Sequence, residues 1–247
     1  MSNSPLVSYT KISPNKTSPR NHKIDTITIH CVAGQCSIET LGEIFAPPSR
    51  KASSNYGIGP DGRIGMYVEE KDRSWCSSSS ANDNRAITIE VASDMTHPFA
   101  VNDTAYNALI DLLVDICKRN GIKELKWKGD KSLIGNVAEQ NMTVHKWFAN
   151  KDCPGEYLYE RHADIAEKVN KRLNATSTST KKKTPLKVGD RVKLKKGART
   201  YTGQKLASFV YDMVYDVVQI DDQRVVIGLG RVVTAAVYLK DLTKVTE

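Results

Sequence analysis

The sequence predicts an α/β fold, a mixed central β-sheet flanked by helices, joined to a small all-β barrel. Three observations predict it. Strand-like and helix-like stretches alternate over residues 1–173, a polar segment follows at 174–184, and residues 185–247 hold only short β-rich runs.

In chain order, Ile24-Asp-Thr-Ile-Thr-Ile-His30 alternates apolar and polar residues and reads as a half-buried strand. Ser37 precedes Ile-Glu-Thr-Leu-Gly-Glu-Ile-Phe, a short helix with an N-cap, which Pro47-Pro48 stops. The run Tyr56 to Val68 reads as a hairpin turning at Pro60-Asp61-Gly62. Ala86-Ile-Thr-Ile-Glu-Val-Ala is a further strand. A helix spans about Thr104 to Asn120, with Leu109, Leu112, Leu113, Ile116 and Cys117 on one face and Gly121 as its stop. A second helix follows Pro154-Gly155 and carries Leu158, Ile165, Val169 and Leu173. Residues 174–184 contain one apolar residue and read as a flexible linker. Beyond it, Val188–Leu194, Phe209-Val-Tyr, Tyr215–Ile220, Arg224–Gly228 and Val232–Val237 are short runs between Gly, Asp and Lys turns, the grammar of a small barrel.

Composition narrows the class. A hydrophobic share of 40% and a charged share of 26% are those of an ordinary globular protein. No apolar run approaches the roughly 20 residues of a membrane span, so no membrane partner is expected. The N-terminal stretch lacks a basic region followed by an apolar core, which implies synthesis in a cytosol without a signal peptide. Five cysteines without regular spacing imply no disulfide framework. Residues 181–247 carry 14 basic and 7 acidic side chains, so seven of the eight net positive charges lie there and a polyanion is the expected partner of that region.

His30 ends the first strand, while His145 and Cys153 lie eight positions apart before Pro154-Gly155. Two histidines and a cysteine make a three-ligand zinc site with one position left for water, the arrangement of a hydrolytic rather than a structural zinc. Spacing alone is a weak signal for it, because a strand-end histidine also serves as an ordinary hydrogen-bonding residue. His22, His97 and His162 have no comparable company and read as exposed or structural.

Several ordered stretches strengthen this reading: Ile27-Thr-Ile-His30, Ser54-Asn-Tyr56-Gly-Ile-Gly-Pro-Asp-Gly-Arg-Ile, Ser74-Trp75, Asn84-Arg-Ala-Ile-Thr-Ile-Glu90 and His145 with Lys151-Asp-Cys153-Pro-Gly. Over about Ile24 to Leu173 the chain resembles the zinc-dependent N-acetylmuramoyl-L-alanine amidases, the family that includes peptidoglycan recognition proteins and phage amidases. The resemblance implies the amidase/peptidoglycan-recognition fold with a Zn2+ ion held by His30, His145 and Cys153. It also implies a tyrosine beside the metal (Tyr56), a catalytic lysine (Lys151) and a glutamate serving as base (Glu90). Each has another possible role: Tyr56 as a packed hairpin aromatic, Lys151 as a solvated charge, Glu90 as a buried salt-bridged carboxylate. One departure stands out, since Cys76-Ser-Ser-Ser-Ser follows Trp75 where many members have His or Asn and a small residue.

Residues from Pro185 to Val245 resemble bacterial SH3-like domains of cell-wall lytic enzymes, which implies a wall-polymer partner. Tyr201, Phe209, Tyr211, Tyr215 and Tyr238 are candidates for contact faces or barrel core. The resulting expectation is a peptidoglycan hydrolase that cuts the amide between N-acetylmuramic acid and L-alanine with zinc-activated water. The chain then looks like a phage endolysin of a Gram-positive host, acting on the wall after release from the cytoplasm. The alternative is a recognition protein that binds peptidoglycan without cutting it, against which Cys153 argues. A nucleic-acid-binding protein with a structural zinc needs a fourth ligand, and Cys31 should point away from His30, so no nucleic-acid partner is expected.

Overall fold

The structure is a computed structural model and describes residues 2–179, 186–230 and 232–245. The chain divides into two compact units, Met1–Thr178 and Ser179–Glu247.

The first unit runs β1 (Val7–Thr10), β2 (Lys16–Thr17), β3 (Thr26–Cys31), α1 (Ile38–Phe45), β4 (Tyr56–Ile58), β5 (Ile64–Met66), β6 (Arg73–Ser74), α2 (Ser80–Arg85), β7 (Ala86–Val91), α3 (Asp103–Asn120), β8 (Met142–Thr143) and α4 (Gly155–Ser179). Six strands form one mixed sheet in the order β1-β5-β4-β7-β3-β8, in which only the β4–β5 hairpin is antiparallel. Side chains cap both helices, at Ser37 as the sequence implies. Ser37 accepts from the Thr40 N–H at the start of α1, and Asn102 from the Ala105 N–H at the start of α3, which ends at Gly121.

Paired strands present paired residues to the same face. Ile27, Ile29, Ile87, Ile89, Tyr56 and Ile58 share one face and bury it against Leu109, Leu112, Leu113 and Ile116 of α3 and Leu158, Ile165 and Val169 of α4. Each such aliphatic side chain contributes roughly 1.5–3 kcal/mol on full burial. Thr28, Thr88, His30 and Glu90 share the opposite face. The alternation of β3 predicts a solvated polar side, yet all six of its residues are buried. The polar side is covered by protein that satisfies it. Thr28 Oγ1 lies 2.8 Å from Thr143 Oγ1 and accepts from Asn82 Nδ2 at 2.9 Å, and Thr88 Oγ1 lies 2.7 Å from Ser74 Oγ. On this side Leu41 of α1 and Tyr67 press on Gly57, where a Cβ atom would meet each at 2.8 Å.

Helix α4 runs on to Ser179, over residues 174–179 that the sequence reading places in the linker. No Gly or Pro occurs there to stop it. The remaining linker residues, 180–184, lie outside the described residues, as does Pro185.

The second unit holds β9 (Arg191–Leu194), β10 (Val214–Asp221), β11 (Arg224–Leu229), β12 (Val232–Tyr238) and β13 (Leu242–Lys244) in one antiparallel sheet of order β12-β11-β10-β9-β13. Among the described residues no ladder joins its two edge strands, so the observed element is a small antiparallel sheet. Val192, Tyr215, Val217, Val225, Ile227, Val237 and Leu242 form its core. Phe209-Val-Tyr is not a strand. It lies in a 3-10 turn, Ser208–Asp212, in which the Val210 N–H donates to the Ala207 carbonyl at 3.1 Å. Among the described residues no helix is long and apolar enough to cross a membrane.

Candidate functional site

The end of β3 sets the site. His30 is fully buried and pairs across the sheet with Glu90. Its Nδ1 lies 3.2 Å from Cys153 Sγ, and its ring stands edge-on to that of His145 with centroids 5.1 Å apart. Ligand-capable atoms of His30, His145 and Cys153 all lie within 4.8 Å of one another. The structure therefore brings together three residues separated by up to 123 positions in sequence.

Local packing holds the His145 and Cys153 segments in place. The single 3-10 turn His145–Trp147 is tied to Cys153 through the Lys146 N–H, which donates to the Cys153 carbonyl at 3.1 Å. Trp147 stacks on Trp127 at 5.1 Å and 4°, and Trp127 packs in turn on His162 at 4.4 Å. The Lys146 ammonium sits 3.1 Å above the Tyr159 ring. After Cys153, Gly155 has φ +78° and a Cβ there would lie 2.7 Å from Phe99 Cβ, so the turn that returns the chain to α4 requires glycine. His162 is thus a buried support, with Nδ1 2.7 Å from the Leu158 carbonyl and Nε2 without a partner. His22 and His97 are exposed.

Burial holds both site imidazoles neutral. His30 is pushed down to about 3 by desolvation and then by His145, and His145 is lowered by desolvation and then by Lys151. Neutral imidazole is the form that ligates metals. Cys153 is touched from two sides, by His30 and by the Cys31 thiol. Cys31 belongs to the apolar core and does not join the three-residue cluster. Two imidazoles and one thiol, converged and held without charge partners, are the donor set that a zinc ion accepts in a site with a vacant position.

Glu90 lies beside this cluster. Atoms of His30, Cys76 and Glu90 also fall within 4.8 Å of one another, and Cys76 Sγ approaches Glu90 Oε1 at 3.8 Å. Glu90 Oε2 is buried without a partner, and desolvation pushes the carboxyl up to about 8. Lys151 is exposed at the rim of a cleft of about 470 Å³ that Trp75, Cys76, Glu90 and His145 also line.

Tyr56 is not brought to the cluster, which corrects the expectation for it. It pairs with Ile89, one residue out of step with the His30–Glu90 pair, so its side chain leaves the sheet on the other face. There its hydroxyl donates to Glu70 Oε1 at 2.7 Å and accepts from the Ser4 N–H at 3.0 Å.

Other residues shape the site without a readable sequence signal. Asp83 accepts from the Cys76 N–H at 3.0 Å and from Ser77 Oγ at 2.6 Å, holding the segment Cys76–Ser79 as the cleft wall. In that wall Ser78 takes a left-handed conformation, φ +62°, and its Oγ lies 3.0 Å from His145 Nε2. Arg20 is buried and donates five hydrogen bonds to carbonyls of Glu70, Asp72, Asp83, Asn84 and Ala86, tying the loop 70–72 to α2 and the start of β7.

Residues 20–156 match the family described as N-acetylmuramoyl-L-alanine amidase. No curated protein matches. Among solved structures, the chain is similar to the Staphylococcus aureus hydrolase AmiA in complex with its ligand, at 16% identity and a TM-score of 0.51 over 70% of this chain and 86% of that one. A mutant endolysin from Bacillus subtilis is similar at 17% identity and a TM-score of 0.48, over 65% of this chain and 97% of that one. The N-acetylmuramoyl-L-alanine amidase LysC from Clostridium intestinale URNW is similar at 19% identity and a TM-score of 0.47, over 66% and 95%. At 16% identity the likeness to AmiA is one of fold.

Proposed function

Because the chain belongs to the N-acetylmuramoyl-L-alanine amidase family, we propose that it hydrolyses the amide between the lactyl group of N-acetylmuramic acid and L-alanine in peptidoglycan. The observation that carries this reading is the convergence of His30, His145 and Cys153 within 4.8 Å of one another, with His145 in the wall of an open cleft. These three residues would hold a zinc ion. When bound, that ion supplies Lewis acidity and lowers the pKa of a coordinated water toward roughly 7.

The remaining groups have distinct tasks. The Lys151 ammonium, whose field already acts on His145, stabilises negative charge growing on the carbonyl oxygen. Glu90, beside His30 with one carboxylate oxygen unpartnered, serves to accept a proton from water and return it to the leaving amine. Ser78 and Asp83 keep His145 and the cleft wall in place. Tyr56 has no part in this chemistry.

The second unit is read as an SH3-like wall-binding module. In support, Tyr201 and Tyr238 pack together with centroids 4.6 Å apart and remain accessible, as does Phe209, while Tyr215 is core. Its excess of Lys and Arg suits an anionic wall polymer. An amidase unit paired with a basic module supports the reading of a phage endolysin acting on a Gram-positive wall. The test is to add the full chain to Gram-positive walls and follow turbidity and new L-alanine amino termini, with and without chelator. Release that chelation and Cys153→Ala abolish is expected. Binding without release would favour the non-catalytic recognition protein.

A further inference from the structure

The cleft that begins at His145 is basic. Arg50, Lys51, Arg73 and Lys151 line it against two carboxylates, Asp83 and Glu90. Asp83 is occupied internally by the Cys76 and Ser77 N–H groups and the Ser77 hydroxyl. Glu90 is half-buried. Arg50, Lys51 and Lys151 are exposed.

Two features fix where these cations stand. A 3-10 turn, Pro48–Arg50, follows Pro47 and closes on Lys51, which adopts φ +52° with its N–H bonded to the Pro48 carbonyl. A left-handed lysine costs on the order of 1 kcal/mol, and Arg50 and Lys51, consecutive in this turn, both line the cleft. Elsewhere in the lining, Arg73 Nη2 and Trp75 Nε1 both donate to Thr17 Oγ1, at 2.5 and 3.0 Å, and Arg73 Nε has no partner.

A cleft of about 470 Å³ is large enough for a short peptide segment. What enters it flanks the scissile amide. On the acyl side stands an N-acetylated sugar without charge, and on the amine side a stem peptide with carboxylates. We infer that Arg50, Lys51 and Arg73 select stem peptides whose residues next to the cut carry free carboxylates over stems in which those groups are carboxamides. This rests on the amidase reading. Guanidinium pairs with carboxylate through two parallel hydrogen bonds that a carboxamide cannot reproduce.

Two synthetic N-acetylmuramoyl peptides, alike except for carboxylate or carboxamide at the second and third stem residues, test the inference on the full zinc-loaded chain. The free-acid peptide should show at least about ten-fold higher kcat/KM, and the gap should narrow as salt rises. The double variant Arg50→Gln/Lys51→Gln, altered only at exposed positions, should lose most of that gap, and a gap that survives it unchanged overturns the assignment to these residues. Equal kcat/KM for the two peptides in the parent protein overturns the inference. Calorimetric binding of both peptides to Cys153→Ala reads the preference without cleavage. Equal affinities there also overturn it, whereas a ten-fold affinity gap together with no cleavage of either peptide by the zinc-loaded parent chain upholds the charge selection and sinks the amidase reading.

Discussion

His30 and Glu90 stand opposite each other on adjacent parallel strands, so the imidazole proposed to ligate zinc and a half-buried carboxyl share one face of the sheet by register alone. A one-residue slip of β7 would turn Glu90 into the apolar core. The same parity excludes Tyr56, whose register partner is Ile89. Backbone pairing thus decides which of the proposed residues can act together.

Removing the proposed metal should cost both activity and stability. Chelation should abolish release of amino termini and lower Tm, and added zinc should restore both, because a ligand bound only by the folded state stabilises it. Cys153→Ala should abolish zinc retention while leaving the far-ultraviolet circular dichroism unchanged. Full activity of the chelated protein would contradict the assignment.

Tyr56→Phe should behave as a core substitution. Glu70 keeps Arg119 and Asn120 as partners, and the Ser4 N–H loses its acceptor. The expected cost is about 1–2 kcal/mol in denaturant unfolding with kcat unchanged. A fall in kcat of a hundred-fold without loss of stability would place the phenol in the chemistry after all.

Lys151→Ala should lower kcat by about 10²–10³ with little effect on stability, the magnitude for losing one group that stabilises developing negative charge. Lys151 is exposed, and its main effect within the fold is on His145. An unchanged kcat would make it a solvated surface charge.

Arg20→Ala should be among the most destabilising single changes, about 3–5 kcal/mol, since it strips donors from five backbone carbonyls in the loop 70–72, α2 and the start of β7. Arg20→Lys should recover only part of this, because an ammonium cannot reach the same fan of acceptors. Urea unfolding of both variants checks it.

His162 should make the fold acid-sensitive. Burial lowers its pKa to about 4 in the folded chain, against about 6.5 unfolded, so the unfolded state binds the proton first. Stability contributed above pH 6.5 is lost as pH falls from 6.5 to 4, by about 3 kcal/mol in all. His162→Gln should flatten the Tm profile across that window relative to the parent chain. Parallel profiles would refute the assignment.

Much of the fold was legible in the sequence because its signals are local. The cap Ser37, the stop at Gly121 and the turn at Gly62 depend on neighbours within a few residues. The Phe209–Tyr211 run was misread for the complementary reason. Three apolar or aromatic residues carry no period, and a local turn bond wins over sheet pairing there. Arg50, Lys51 and Arg73 look like ordinary surface cations in the sequence, and only folding places them along one cleft.

By itself the sequence determined the alternation of strands and helices and the family, and named three residues as candidate ligands, since composition, periodicity and ordered motifs survive in one dimension. The tertiary structure alone decided that β3 is buried on both faces, that Glu90 shares the face of His30 while Tyr56 does not, and that His162 braces the His145 turn through Trp127. The reason is strand register and packing. Both depend on which distant segments meet, and a residue's chemistry is set by the neighbours it acquires there.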